Sequence, residues 1–93
     1  MSRVELARVF LEIWEYIAQD NMDAADCVTN EIHEAVVMLA KNPGLGHVRK
    51  DLTSKSVRFW PIYSYLIIYN PATHPLEIVR ILSGYRDLTM LLH

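Results

Sequence analysis

Apolar residues recur with a helical period through the first forty residues, and this pattern constrains the fold more than any other feature of the sequence. The first stripe consists of Leu6, Phe10, Ile13, Trp14 and Ile17. The second stripe consists of Ala25, Val28, Ile32, Ala35, Val36 and Leu39. Spacings of three and four place each set on one side of an α-helix. We therefore predict helices over 3–19 and 22–41 that form an antiparallel hairpin.

Polar and helix-breaking residues mark the ends of these helices. The first ends at the cluster 19–21, and either Asn21 or Asp23 is suited to cap the second helix. The second helix ends at 42–44, where proline and glycine stop it. A polar loop is then expected over 44–56.

Three extended segments follow. Val57 and Phe59 alternate with Arg58 and Trp60, a pattern that predicts a strand ending at Pro61. Residues 63–69 are large and mostly apolar on both parities, which predicts a central strand buried on both faces. Turn residues over 70–75 precede a third strand over 76–82. We predict an α+β fold, with the N-terminal antiparallel helix hairpin packed on a three-stranded antiparallel sheet.

Length and composition narrow the class of protein. A chain of 93 residues supports one hydrophobic core, so a single domain over 1–93 is expected. Cys27 is the only cysteine, which excludes an internal disulfide and favours a reducing cytoplasm. The sequence contains neither a secretory signal nor an apolar run of about 18 residues, so we expect no membrane contact. The four histidines lack metal-ligand spacing, and we expect no metal and no cofactor.

The net charge of −2 conceals two unlike halves. Residues 1–42 contain eight acidic and three basic side chains, whereas residues 43–93 contain three acidic and six basic ones. An acidic partner, protein or nucleic acid, would therefore meet the second half. The alternative is that both halves simply present charged surfaces to solvent.

The basic and aromatic residues of the second half are the candidate binding residues. Arg80 lies on a mostly apolar strand, so we expect it to pair with a carboxylate, Asp87 being the nearest. Alternatively, Arg58, Arg80 and Arg86 form a basic patch that grips carboxylates or phosphates. The aromatic residues of this half are too numerous for one small core, so we expect some of them to line an exposed sheet face used in binding. They are Trp60, Tyr63, Tyr65 and Tyr69.

Several segments together resemble the ParE-type toxins of the RelE/ParE superfamily. They are 39–46 (Leu-Ala-Lys-Asn-Pro-Gly-Leu-Gly), 57–61 (Val-Arg-Phe-Trp-Pro), 65–69 (Tyr-Leu-Ile-Ile-Tyr) and 77–88 (Glu-Ile-Val-Arg-Ile-Leu-Ser-Gly-Tyr-Arg-Asp-Leu). Their order and spacing across nearly the whole chain carry the resemblance. It implies a bacterial type II toxin, of the kind linked to plasmid stabilisation, that a cognate antitoxin neutralises.

The resemblance further implies action by protein binding, with DNA gyrase as the target and DNA reached only through the antitoxin. The antitoxin- or target-binding residues expected are Arg58, Trp60, Tyr65, Arg80, Tyr85, Arg86 and Asp87. No catalytic residue and no enzymatic activity are then expected. The alternatives are a RelE-type ribosome-dependent RNA endonuclease, which would use Arg58, Arg80 and Tyr85, and a detoxified relative that only binds antitoxin.

The resemblance also implies a β-strand before the first helix, a strand that is missing or truncated here because helix one begins almost at Met1. Its absence would leave unpaired backbone groups at one sheet edge. Such an edge is expected to pair with a second copy or with an antitoxin strand, giving a homodimer or a hetero-oligomer.

Overall fold

Two helices open the chain, as the apolar stripes predict. The computed structural model describes residues 1–51 and 54–83 and contains α1 over Arg3–Ala18 and α2 over Met22–Lys41. The Ser2 hydroxyl caps α1 by accepting a hydrogen bond from the Glu5 N–H at 3.1 Å. The side chain of Asn21 accepts the Ala24 N–H at 2.9 Å, so Asn21 rather than Asp23 caps α2.

Residues Met1–Met38 form a compact unit in which side chains link α1 to α2. The Trp14 indole N–H donates to the Asp26 carboxylate at 2.7 Å. The rings of Phe10 and His33 meet edge to face, with centroids 6.2 Å apart. Trp14 belongs to the apolar stripe of α1 but is only half-buried, because its polar edge turns towards Asp26.

A three-stranded antiparallel sheet follows in the second unit, which begins at Leu39. Its strands are β1 (Arg58–Ile62), β2 (Tyr65–Asn70) and β3 (Glu77–Ser83), in the order β1-β2-β3. The helices and the antiparallel meander confirm the predicted α+β fold. The central place of β2 is confirmed too, since five of its six residues are buried. No helix among the described residues combines the length and the apolarity needed to cross a bilayer.

The strand boundaries differ from prediction at the first hairpin. Tyr63 and Ser64, predicted to begin the second strand, instead form the two-residue turn between β1 and β2. Tyr63 has a φ of +54°, a backbone conformation that cannot continue a strand. Pro61 lies within β1, which continues to Ile62. Proline is tolerated there because β1 is an edge strand.

The loop predicted over 44–56 contains more structure than its composition indicates. A short 3₁₀ helix spans Pro43–Leu45, and His47 forms an isolated antiparallel bridge with Phe59. Both bridging bonds, from the His47 N–H to the Phe59 carbonyl and from the Phe59 N–H to the His47 carbonyl, are 2.8 Å long. The bridge fixes the start of this loop to β1.

The strand register assigns each side chain to one of two sheet faces, since cross-strand partners share a face. On one face, Phe59, Leu66 and Ile68 form a buried cluster. We call it the Phe59 face and the other the Tyr69 face. A bulge shifts the register between Ile68 and Tyr69, leaving Val79 without a partner in β2.

Candidate functional site

Two predicted binding arginines lie on opposite faces of the sheet. Arg58 pairs with Tyr69 in the β1–β2 register, which places it on the Tyr69 face. Arg80 pairs with Ile68 in the β2–β3 register, which places it on the Phe59 face. The two residues also occupy opposite edge strands, separated by about 10 Å of sheet. The predicted single basic patch is therefore not formed by these two residues, because the bulge and the register send their side chains to different sides.

Arg58 is held in place by the loop that follows the 3₁₀ helix. Its Nη1 donates a hydrogen bond to the Gly46 carbonyl at 2.7 Å. The neighbouring Trp60 has its ring stacked on His47, with centroids 6.3 Å apart and planes inclined by 6°. Arg58 and Trp60 thus anchor the loop to β1, and both side chains are half-buried rather than fully open.

Tyr69 of the central strand also holds this loop in place. Its hydroxyl accepts the Gly46 N–H at 2.8 Å and donates to the Pro43 carbonyl at 2.6 Å, while its side chain is fully buried. A Cβ at Gly46 would lie against that hydroxyl and 2.7 Å from the ring carbon Cε1. Glycine is therefore required at position 46 by space, since its φ of −69° suits any residue. We call Pro43, Gly46, His47, Arg58, Trp60 and Tyr69 the loop anchor.

Sequence reasoning missed the contributions of Gly46, His47 and Tyr69 to the loop anchor. The available signal was Tyr69 in a central strand that is buried on both faces, because a buried phenol needs hydrogen-bond partners. Backbone groups of a nearby loop are the usual partners.

The other predicted binding residues differ in accessibility. Tyr65 is buried, with 6% of its surface exposed, so its ring contributes to packing rather than to an open face. Arg80 is exposed and lies on the same face as the half-buried Val79 and Leu82. Tyr85, Arg86 and Asp87 lie outside the described residues. The pairing of Arg80 with Asp87 stays a prediction for the same reason.

The outer edge of β1 is closed to an added strand. Phe59 directs both its N–H and its carbonyl away from β2, to His47. Residues of the same parity point the same way. Val57 and Pro61 have the same parity as Phe59. The Val57 N–H bonds to the Lys55 carbonyl at 2.9 Å, and Pro61 has no N–H to donate. The edge is therefore protected in the way that natural sheets avoid uncontrolled pairing.

The outer edge of β3 differs from that of β1. The alternation of the β1–β2–β3 register directs the backbone groups of Ile81 and Ser83 away from β2. Within residues 1–51 and 54–83, no backbone group bonds to them. Among the described residues, the edge of β3 therefore leaves room for an added strand.

Arg49 and Asp51 form an exposed ion pair that shifts the pKa of both side chains. Arg49 donates to both carboxylate oxygens of Asp51, at 3.0 and 2.8 Å. These hydrogen bonds lower the pKa of the Asp51 carboxyl and raise the pKa of Arg49. No group of histidine, cysteine, aspartate or glutamate side chains in the described part of the chain could hold a metal ion.

The two helices followed by an antiparallel meander define a small α+β protein. The sequence matches, over residues 6–88, the family described as the ParE toxin of the type II toxin-antitoxin system, parDE. The chain therefore belongs to the ParE toxin family, and the predicted resemblance is confirmed. No curated protein proved similar enough to count as a match.

Proposed function

We propose that this ParE-family toxin acts by binding a protein target, DNA gyrase, without cleaving RNA, and that a cognate antitoxin holds it inactive. We further propose that residues 1–93 act as a single toxin domain. Membership of the ParE toxin family supports a toxin role and an antitoxin partner. The observation that carries the choice of binding over cleavage is the placement of Arg58 and Arg80 on opposite sheet faces.

RNA cleavage requires several groups to converge on one phosphate. A base must activate the ribose hydroxyl, cations must stabilise the pentacovalent phosphate, and an acid must protonate the leaving oxygen. The set suggested for this chemistry includes Arg58 and Arg80, whose side chains point away from each other across the sheet. The strand between them, Tyr65–Asn70, carries no charged residue. This geometry favours recognition of a protein over chemistry on a phosphodiester.

Antitoxin binding is supported by the exposed Arg80 and by the edge of β3. Arg80 presents an exposed guanidinium beside the apolar Val79 and Leu82, a combination common at protein interfaces. The outward backbone groups of Ile81 and Ser83 would add main-chain hydrogen bonds to an extended antitoxin segment. The closed edge of β1 directs such pairing to β3.

The proposal is tested by expression and by a gyrase assay. Induction of the chain alone should arrest bacterial growth, and co-expression of the small acidic protein encoded beside it should restore growth. Purified protein should inhibit supercoiling by DNA gyrase, and prior addition of the antitoxin should relieve that inhibition. Unimpaired supercoiling with growth arrest would overturn the gyrase assignment, and harmless expression would identify a detoxified relative.

A further inference from the structure

Helix α1 carries a second apolar stripe beside the one that contains the buried Ile13. Its spacings of three and four residues are those of a helix that pairs lengthwise with another helix. Val4 is 79% exposed and Leu11 is 55% exposed, so this side of the helix is open to solvent. Apolar residues that recur along an exposed helix face are typical of protein interfaces. We call this set the outer stripe, and its members are Val4, Ala7, Leu11, Trp14 and Ala18.

Two opposite charges lie along one edge of the outer stripe. Arg8 and Glu15 each directly follow a member of the stripe, and both side chains are exposed. Seven residues make almost two helical turns, so these charges lie on the same edge, about 10 Å apart along the helix axis. The other edge of the stripe borders Phe10 and Ile17, which are half-buried. A helix that fits the charged edge must therefore present an acid and a base at the same spacing in the reverse order.

An antiparallel copy of α1 has this arrangement. A two-fold axis perpendicular to the two helices brings the same edge of each copy together. Arg8 then lies opposite the partner's Glu15, and by symmetry Glu15 lies opposite the partner's Arg8. In the same register Leu11 packs on the partner's Trp14, so the apolar stripes and the charges match at once.

Charge selects this register over its neighbours. Sliding one helix by seven residues in one direction keeps the stripes in contact but brings the two Arg8 side chains together. Sliding it in the other direction brings the two Glu15 side chains together, and like charges at facing positions repel. In the register that remains, Ala7 lies opposite the partner's Ala18, and these small side chains allow the helices to approach closely.

We propose that α1 pairs antiparallel with α1 of a second copy of this chain, through the outer stripe and the two contacts between Arg8 and the partner's Glu15. The 16 residues of α1 span about 24 Å. One helix pair of this length buries less surface than a permanent dimer does, so the association is weak and reversible. The inference does not depend on the antitoxin or on the cellular target, because it concerns the chain alone.

The test is sedimentation equilibrium of the full chain over a range of concentrations. Arg8→Glu and Glu15→Arg should each raise the dimer dissociation constant at least about tenfold, because each turns two attractive contacts into two repulsive ones. An equimolar mixture of the two variants should dimerise again, since every facing pair is then of opposite charge. The matched control Glu12→Arg makes the same charge change at an exposed position away from the stripe and should leave the dissociation constant unchanged. Circular dichroism of each variant verifies folding, which exposed substitutions of this kind preserve.

Three results would overturn the pairing of α1 with a second copy. The first is a wild type that stays monomeric up to about 1 mM. The second is single variants that dimerise as the wild type does, or a mixture that does not recover the dimer. The third is a monomeric wild type whose affinity for the antitoxin, measured by calorimetry, falls at least about tenfold with Arg8→Glu, because the outer stripe would then bind the antitoxin. Failure of the growth or gyrase assays would leave this inference standing, since sedimentation measures the chain by itself.

Discussion

Replacing Tyr69 with phenylalanine tests the loop anchor most sharply. The substitution removes one oxygen that bonds both to the Gly46 N–H at 2.8 Å and to the Pro43 carbonyl at 2.6 Å. Gly46 is buried, so its N–H would be left without a partner at a cost of about 1–3 kcal/mol. Pro43 is half-buried, so its carbonyl would recover part of its bond from water. We expect Tyr69→Phe to lower the free energy of unfolding by about 2 kcal/mol.

A loss of this size is readily measured for a domain of this length. It corresponds to a fall in Tm of roughly 8–16 °C, which thermal unfolding followed by circular dichroism would detect. The matched control is Tyr16→Phe, because Tyr16 is 71% exposed and should change stability by less than about 0.5 kcal/mol. Equal stability of the two variants would refute the argument that the buried phenol fixes the loop.

Gly46→Ala probes the same contact from the other side. A Cβ at this position would overlap the phenol ring and its hydroxyl, and such overpacking costs about 1–3 kcal/mol. In the Tyr69→Phe background the hydroxyl contact is gone, so the penalty of Gly46→Ala should shrink. Strict additivity in this double-mutant cycle would show that the two residues do not interact as described.

Three further substitutions test other parts of the account. Arg80→Ala should weaken antitoxin binding at least about tenfold in calorimetry, because an exposed guanidinium on a strand is lost, whereas Arg8→Ala on α1 should have no effect. Tyr63→Gly should raise the free energy of unfolding by about 0.5–1 kcal/mol in urea titration, since it relieves the positive φ of 54°. Pro61→Val adds an N–H to the closed edge of β1 and should increase the sedimentation coefficient at high protein concentration, and an unchanged sedimentation coefficient would contradict the edge argument.

The helices could be predicted from sequence because their signals are local. Spacings of three and four between apolar residues do not depend on the rest of the chain, and the predicted spans agree with Arg3–Ala18 and Met22–Lys41 to within a residue. The central strand could be predicted equally well, since only a strand covered on both faces tolerates apolar residues at nearly every position. The choice between Asn21 and Asp23 as cap stayed open, because both side chains are suitable acceptors.

The candidate site was harder to predict because it depends on register. Sequence alone cannot reveal the bulge beside Val79, and the sheet face occupied by Arg80 is set by that shift. The opposition of Arg58 and Arg80 was therefore invisible before the strands were paired. The loop anchor was missed for a related reason, since its bond from Tyr69 to Gly46 spans 23 residues.

The most direct test of the central claim is a map of messenger RNA ends in cells during induction of this toxin. If it acts on a protein target, transcripts on translating ribosomes should stay intact while growth stops. New 5′ ends within translated codons, appearing with the wild type and disappearing with Arg80→Ala, would show that this side chain works on RNA. That result would contradict the inference, drawn from the opposite sheet faces of Arg58 and Arg80, that the protein binds its target without cleaving RNA.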